Sequence, residues 1–120
     1  MQKSYTALKA LKNNSEASLY IHIPFCNSKC SYCDFFSVTD HSLMSSILDK
    51  TIEQTVRYID YFGIRQIPTV YIGGGTPTSL PLQLLEKLFS FIASLPLGKR
   101  AECTIEANPE TINLELIRLL

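Results

Sequence analysis

Cys26, Cys30 and Cys33 are separated by three and then two residues, and three thiols at that spacing are the strongest chemical signal in the chain. A short loop can bring all three sulfurs to one point, because its backbone reaches much further than a metal–sulfur bond. An iron-sulfur cubane normally takes four thiolates, so a loop supplying three leaves one iron open to a ligand that is not protein. A structural zinc site wants a closed tetrahedral set, usually from two separated pairs. Its fourth ligand here would have to be His22 or His41, and neither stands at zinc-finger spacing. Disulfides are disfavoured. The lysine-bearing start, MQKSYTALKALKNN, has no apolar stretch of the kind a secretory signal needs, and a reducing cytosol keeps thiols free.

The elements around this loop read as a repeating strand and helix. Residues 18–23 form a strand stopped by Pro24, and the cysteine loop follows directly. Met44, Ile47, Leu48, Ile52, Val56 and Ile59 recur at helical spacing over 41–62, and Gly63 stands where a left-handed cap ends a helix. Thr69 to Ile72 form a second strand running into Gly73-Gly74-Gly75-Thr76-Pro77. Leu84, Leu85, Leu88, Ile92 and Leu95 mark a second helix with Pro81 in its first turn. A third strand spans Glu102–Ala107 before Asn108-Pro109, and a third helical pattern runs from Thr111 to Leu120. This alternation predicts an α/β fold with a parallel sheet of three βα units and right-handed crossovers.

Ligands of parallel α/β folds bind at the C-terminal strand ends, where all three unusual segments lie. Side chains alternate along a strand, so Tyr20 shares a face with His22, and Thr104 with Glu106. Glu106 reads as a ligand-facing acceptor at the end of the third strand. Cys103 reads as a small buried hydrophobe rather than a fourth cluster ligand. His22 reads as a structural group that could also approach a ligand, and His41 as solvent-facing. The glycine run is no dinucleotide or phosphate-loop fingerprint; its use is bare backbone close to a ligand.

Taken together, LYIHIPFCNSKCSYCDFFS, YIGGGTPTSL and TIEANPET resemble the radical S-adenosylmethionine (SAM) proteins, and among them the oxygen-independent coproporphyrinogen III oxidase family. The resemblance covers roughly residues 18 to 112. It implies that Cys26, Cys30 and Cys33 hold a [4Fe-4S] cluster whose open iron is chelated by S-adenosylmethionine. It implies that Tyr20 and Tyr32 lie against that cofactor, that the backbone of Gly74, Gly75 and Thr76 meets its methionine part, and that Glu106 reaches it from the third strand. An electron passed to the sulfonium would release methionine and a 5′-deoxyadenosyl radical.

Two branches of the family differ near the cluster. The dehydrogenases resemble CxxxCxxCxC, but the position of their further cysteine is Phe35 here. Cys33-Asp34-Phe35 and the EANP around Glu106 resemble the heme chaperones, which implies heme as a further ligand, delivered to a hemoprotein recipient. Coproporphyrinogen oxidation in porphyrin biosynthesis is the alternative, with a porphyrinogen as substrate, so whether the chain is an enzyme stays open.

At 120 residues and 46% hydrophobic content the chain can build one small core. We expect residues 1–16 to be a flexible leader and 17–120 a truncated radical SAM domain, the first half of a partial (β/α)6 barrel. A full eight-unit barrel takes about 250 residues. A separately encoded second half is therefore a further expected partner, and the chain is expected to associate through its outer strand or to be marginally stable. Eleven basic residues balance eleven acidic ones, which disfavours a nucleic-acid or anionic-membrane partner. No apolar run is long enough for a transmembrane segment, and the chain is expected to be cytoplasmic.

Overall fold

Three extended segments pair side by side to build one sheet, the first two rich in β-branched and aromatic residues. The computed structural model describes residues 15–27, 31–32 and 40–120; residues 1–14 of the expected leader, together with Cys30 and Cys33, lie outside the described residues. Strands β1 (Leu19–Ile23), β2 (Ile67–Gly74) and β3 (Leu97–Ile105) lie in the order β1-β2-β3, each pair parallel. Helix α1 (Met44–Phe62) joins β1 to β2, α2 (Leu82–Ser94) joins β2 to β3, and α3 (Leu114–Leu119) follows β3. This is the α/β arrangement of three parallel βα units that the sequence predicts.

Alternation along the strands divides the sheet into two faces. Leu19, Val70 and Cys103 are aligned on one face, with Ile21, Ile72 and Ile105 beside them. Ile21, Ile23, Val70 and Ile72 are buried there against Met44 and Leu48 of α1 and Leu85, Leu88 and Ile92 of α2. The register places Tyr20, Tyr71 and Thr104 on the opposite face, and all three are exposed.

Local sequence explains most element boundaries. Gly63 ends α1 with φ 64°, and its N–H returns to Asp60 and Ile59 carbonyls. A side chain there would meet no heavy atom within 4 Å. Gly63→Ala should therefore cost only the left-handed backbone penalty, about 1 kcal/mol of unfolding free energy by urea titration. Pro81 stands just before α2, where its carbonyl accepts from Leu84 and Leu85. Asn113 caps α3 by accepting from the Leu116 amide at 2.9 Å.

Several boundaries and exposures differ from the sequence expectation. β2 begins at Ile67 and includes Pro68, which a central strand tolerates because the β2–β3 register breaks between Ile67 and Thr69. β3 starts at Leu97 rather than Glu102, because Leu97 pairs with Ile67. The third helix is limited to Leu114–Leu119, after a single 3-10 turn at Pro109–Thr111. Val56 is half-exposed, and Thr55 takes the buried position, its hydroxyl donating to the Thr51 carbonyl at 2.8 Å. Cys103 is exposed, not buried: it is on the helix-facing side, but β3 is the sheet's outer strand among the described residues.

Candidate functional site

The backbone after β2 passes close beneath β1 and the start of the cysteine loop, and only bare glycine allows that approach. The Gly75 amide donates to Ile23 O at 2.8 Å and the Thr76 amide to Phe25 O at 2.7 Å. A Cβ built on Gly75 would lie 2.5 Å from Phe25 O and 2.9 Å from Cys26 Sγ. Gly74 has φ 115°, and a Cβ there would lie 2.8 Å from the His22 ring and from Ile23 O. The triple glycine thus meets two needs, a left-handed turn at Gly74 and contact with the cysteine loop at Gly75.

Cys26 is held from several sides. It is buried, and Thr76 Oγ1 approaches its sulfur at 3.8 Å. His41 Nε2 donates to the Cys26 carbonyl at 2.9 Å, and its ring meets Phe25 edge-on. His41 is therefore half-buried and fixes the loop's backbone, contrary to the solvent-facing position expected for it.

A second group of polar side chains lies on the open sheet face. Tyr71 Oη donates to Glu106 Oε1 at 2.7 Å, and the Gly74 amide donates to Glu106 Oε2 at 3.1 Å. The hydrogen bond to Glu106 is the main reason the Tyr71 hydroxyl titrates above the usual tyrosine range, with desolvation adding to it. Tyr20 stacks on Tyr71 with ring centroids 6.1 Å apart, and its hydroxyl lies 2.9 Å from His22 Nδ1. Gly73 is packed against Tyr71 and Glu106, where a Cβ would come within 3.0 Å.

Of the residues singled out in the sequence, Tyr20, Gly74 and Glu106 thus share one network, and Gly75 and Thr76 lie against Cys26. Tyr32 is 86% exposed on the loop, and Cys30 and Cys33 lie outside the described residues. Tyr71 belongs to the network but was not singled out. Strand parity with Tyr20 and Glu106 was the available signal.

The model of the radical SAM superfamily matches residues 20–120. The chain belongs to the radical SAM superfamily. The heme chaperone HemW of Lactococcus lactis is 42% identical over 104 residues, covering 86% of this radical SAM chain and 27% of the relative. HemW of Escherichia coli is 40% identical over 104 residues, with 82% and 27% covered. Among solved structures, coproporphyrinogen III oxidase (HemN) from Escherichia coli, described as a radical SAM enzyme, superposes with TM-score 0.79 at 26% identity. That match covers 96% of this chain and 28% of HemN. The radical SAM chain thus spans about a quarter of the length of these relatives. No helix among its described residues is long and apolar enough to cross a membrane.

Proposed function

We propose that this chain binds a [4Fe-4S] cluster through Cys26, Cys30 and Cys33 and S-adenosylmethionine beside it, in a protein that binds heme and passes it to hemoproteins. The observation that carries this reading is the fit at Gly75, where bare backbone lies directly against the buried Cys26 sulfur. A cluster ligand must be fixed and partly shielded from water, and His41, Thr76 and Gly75 do both for Cys26. When bound, the cluster supplies the electron for reductive cleavage of S-adenosylmethionine.

The remaining residues would position that cofactor. The amides of Gly74, Gly75 and Thr76 are all used internally, so the turn offers a ligand carbonyl oxygens, which suit the ammonium of a methionine group. Glu106 is oriented by two donors and would add a carboxylate beside that ammonium. Tyr20 and Tyr32 would supply aromatic surface to the rest of the cofactor. Relatedness to HemW supports the heme role, and Phe35 at the position of the dehydrogenases' further cysteine favours it. Coproporphyrinogen oxidation is the second reading, supported by the superposition on HemN.

Anoxic reconstitution with iron and sulfide tests the ligand set. The chain should take up about four irons, and Cys26→Ser, Cys30→Ser and Cys33→Ser should each lose most of them. Cys103→Ser should bind as the parent does. Full iron content in Cys26→Ser, or its loss in Cys103→Ser, would contradict the assignment.

A further inference from the structure

We infer that Thr78 is a positioning residue, whose hydroxyl ties the segment after β3 to the glycine turn and so holds Glu106 in the proposed S-adenosylmethionine site. Thr78 lies in the short 3-10 turn Pro77–Ser79 that follows the glycine run, and it is 5% exposed. Its Oγ1 is hydrogen-bonded to Thr111 Oγ1, in the 3-10 turn after β3. The Thr111 hydroxyl donates its one proton to the Asn108 carbonyl at 2.6 Å, so the proton between the two threonines must come from Thr78. The bonds therefore run in one direction, Thr78 to Thr111 to Asn108, and each polarises the next.

Glu106 stands at the end of this relay. Pairing of β3 with β2 ends at Ile105, and the Glu106 amide adds a bond to Ile72 O at 2.9 Å. That bond fixes where Glu106 begins, and the relay fixes where the chain goes after it, because Asn108 is two residues on. The carboxylate can then meet Tyr71 Oη at 2.7 Å and the Gly74 amide at 3.1 Å together. The turn carrying Thr78 is anchored on its other side by Phe25 O, which accepts from the Thr76 amide at 2.7 Å and from Ser79 Oγ at 3.4 Å. One turn thus joins the entry of the cysteine loop to the carboxylate across the site. The cofactor part of this inference rests on the proposed function; the positioning of Glu106 does not.

Thr78→Val removes the hydroxyl, keeps nearly the same shape and leaves no buried donor unpaired, because Thr111 keeps its proton on Asn108 O. Thr78→Ser keeps the hydroxyl and gives up only the methyl. The first readout is the Tyr71 titration in the cofactor-free chain, taken as the difference in tyrosine absorbance between each protein and its counterpart carrying Tyr71→Phe. The bond to Glu106 is the leading cause of the raised Tyr71 pKa, so Thr78→Val should bring it back towards the ordinary range and Thr78→Ser should keep it raised. The second readout is equilibrium dialysis with S-adenosylmethionine after reconstitution. Thr78→Val should raise the dissociation constant about fivefold, and Thr78→Ser should stay within about twofold of the parent. Circular dichroism checks that the variants keep the parent's secondary structure, and Thr111→Val, at a half-buried position, breaks the relay from its other end and carries the same test if Thr78→Val does not fold. A Tyr71 titration that loss of the relay leaves raised overturns the inference, as does a Thr78→Ser variant that behaves like Thr78→Val. An unchanged affinity in Thr78→Val, where the parent binds, overturns the cofactor role. A parent that binds no S-adenosylmethionine counts against the proposed function alone, since the titration still decides what holds Glu106.

Discussion

Gly75→Ala should destabilise the chain by about 3 kcal/mol and remove most of its capacity to hold iron. The added carbon would lie 2.5 Å from Phe25 O and 2.8 Å from Phe25 C. Those atoms cannot swing aside as a flexible side chain would. Phe25 is 1% exposed, and its carbonyl accepts from the Thr76 amide and from Ser79 Oγ. Relief of the overlap must therefore shift the backbone that leads into the cysteine loop. The same carbon would lie 2.9 Å from Cys26 Sγ, so the sulfur moves too. Urea unfolding of the parent and the variant measures the stability loss, and iron content after reconstitution measures the site. An alanine variant with parental stability and full iron would show that the close approach at Gly75 is not what positions Cys26.

Glu106→Gln should leave the fold intact and weaken S-adenosylmethionine binding by about tenfold or more. Glutamine has nearly the shape of glutamate, and its amide can satisfy both present partners. Its oxygen would accept from the Gly74 amide, while its NH2 would donate to the Tyr71 hydroxyl, which can turn to accept. Only the charge is lost, and a charge-assisted contact to an ammonium goes with it. Equilibrium dialysis of the reconstituted protein reads the affinity. Tyrosine absorbance gives an independent readout, because the hydrogen bond from Tyr71 to Glu106 is the leading cause of its raised pKa. In the parent, the contribution of Tyr71 is fully present below the ordinary tyrosine pKa and lost as pH rises through its raised folded value. In the variant the Tyr71 titration should move back towards the ordinary range. A fallen pKa with unchanged affinity would mean that Glu106 serves the network alone.

The order of strands and helices was legible because glycine, proline and the cysteine loop punctuate the chain at each strand end. Gly63 shows why such reading works: a left-handed cap leaves few residue choices, so the residue type reports the conformation. The site was legible for the same reason at Gly74 and Gly75, where backbone geometry admits no side chain. What failed depended on neighbours that a linear pattern does not contain. Val56 and Thr55 are adjacent on α1, and the helix's rotation against the sheet, not hydropathy, decides which is buried. Gly98, Lys99 and Arg100 lack strand propensity, and they are extended within β3 between its pairing at Leu97 and at Glu102. Cys103 is on the face expected of it and is exposed because β3 is the outer strand among the described residues. His41 turns inward to donate to the Cys26 carbonyl, a contact across fifteen positions that a linear pattern does not contain.

The proposed function stands on a cluster site whose open iron accepts S-adenosylmethionine. The most direct test is electron paramagnetic resonance of the anoxically reconstituted and reduced chain, recorded with and without S-adenosylmethionine. The expected result is a [4Fe-4S] signal that changes when S-adenosylmethionine is added, because the proposed ligand set leaves the fourth iron without a cysteine. No cluster signal, or one that S-adenosylmethionine leaves unchanged, would contradict it.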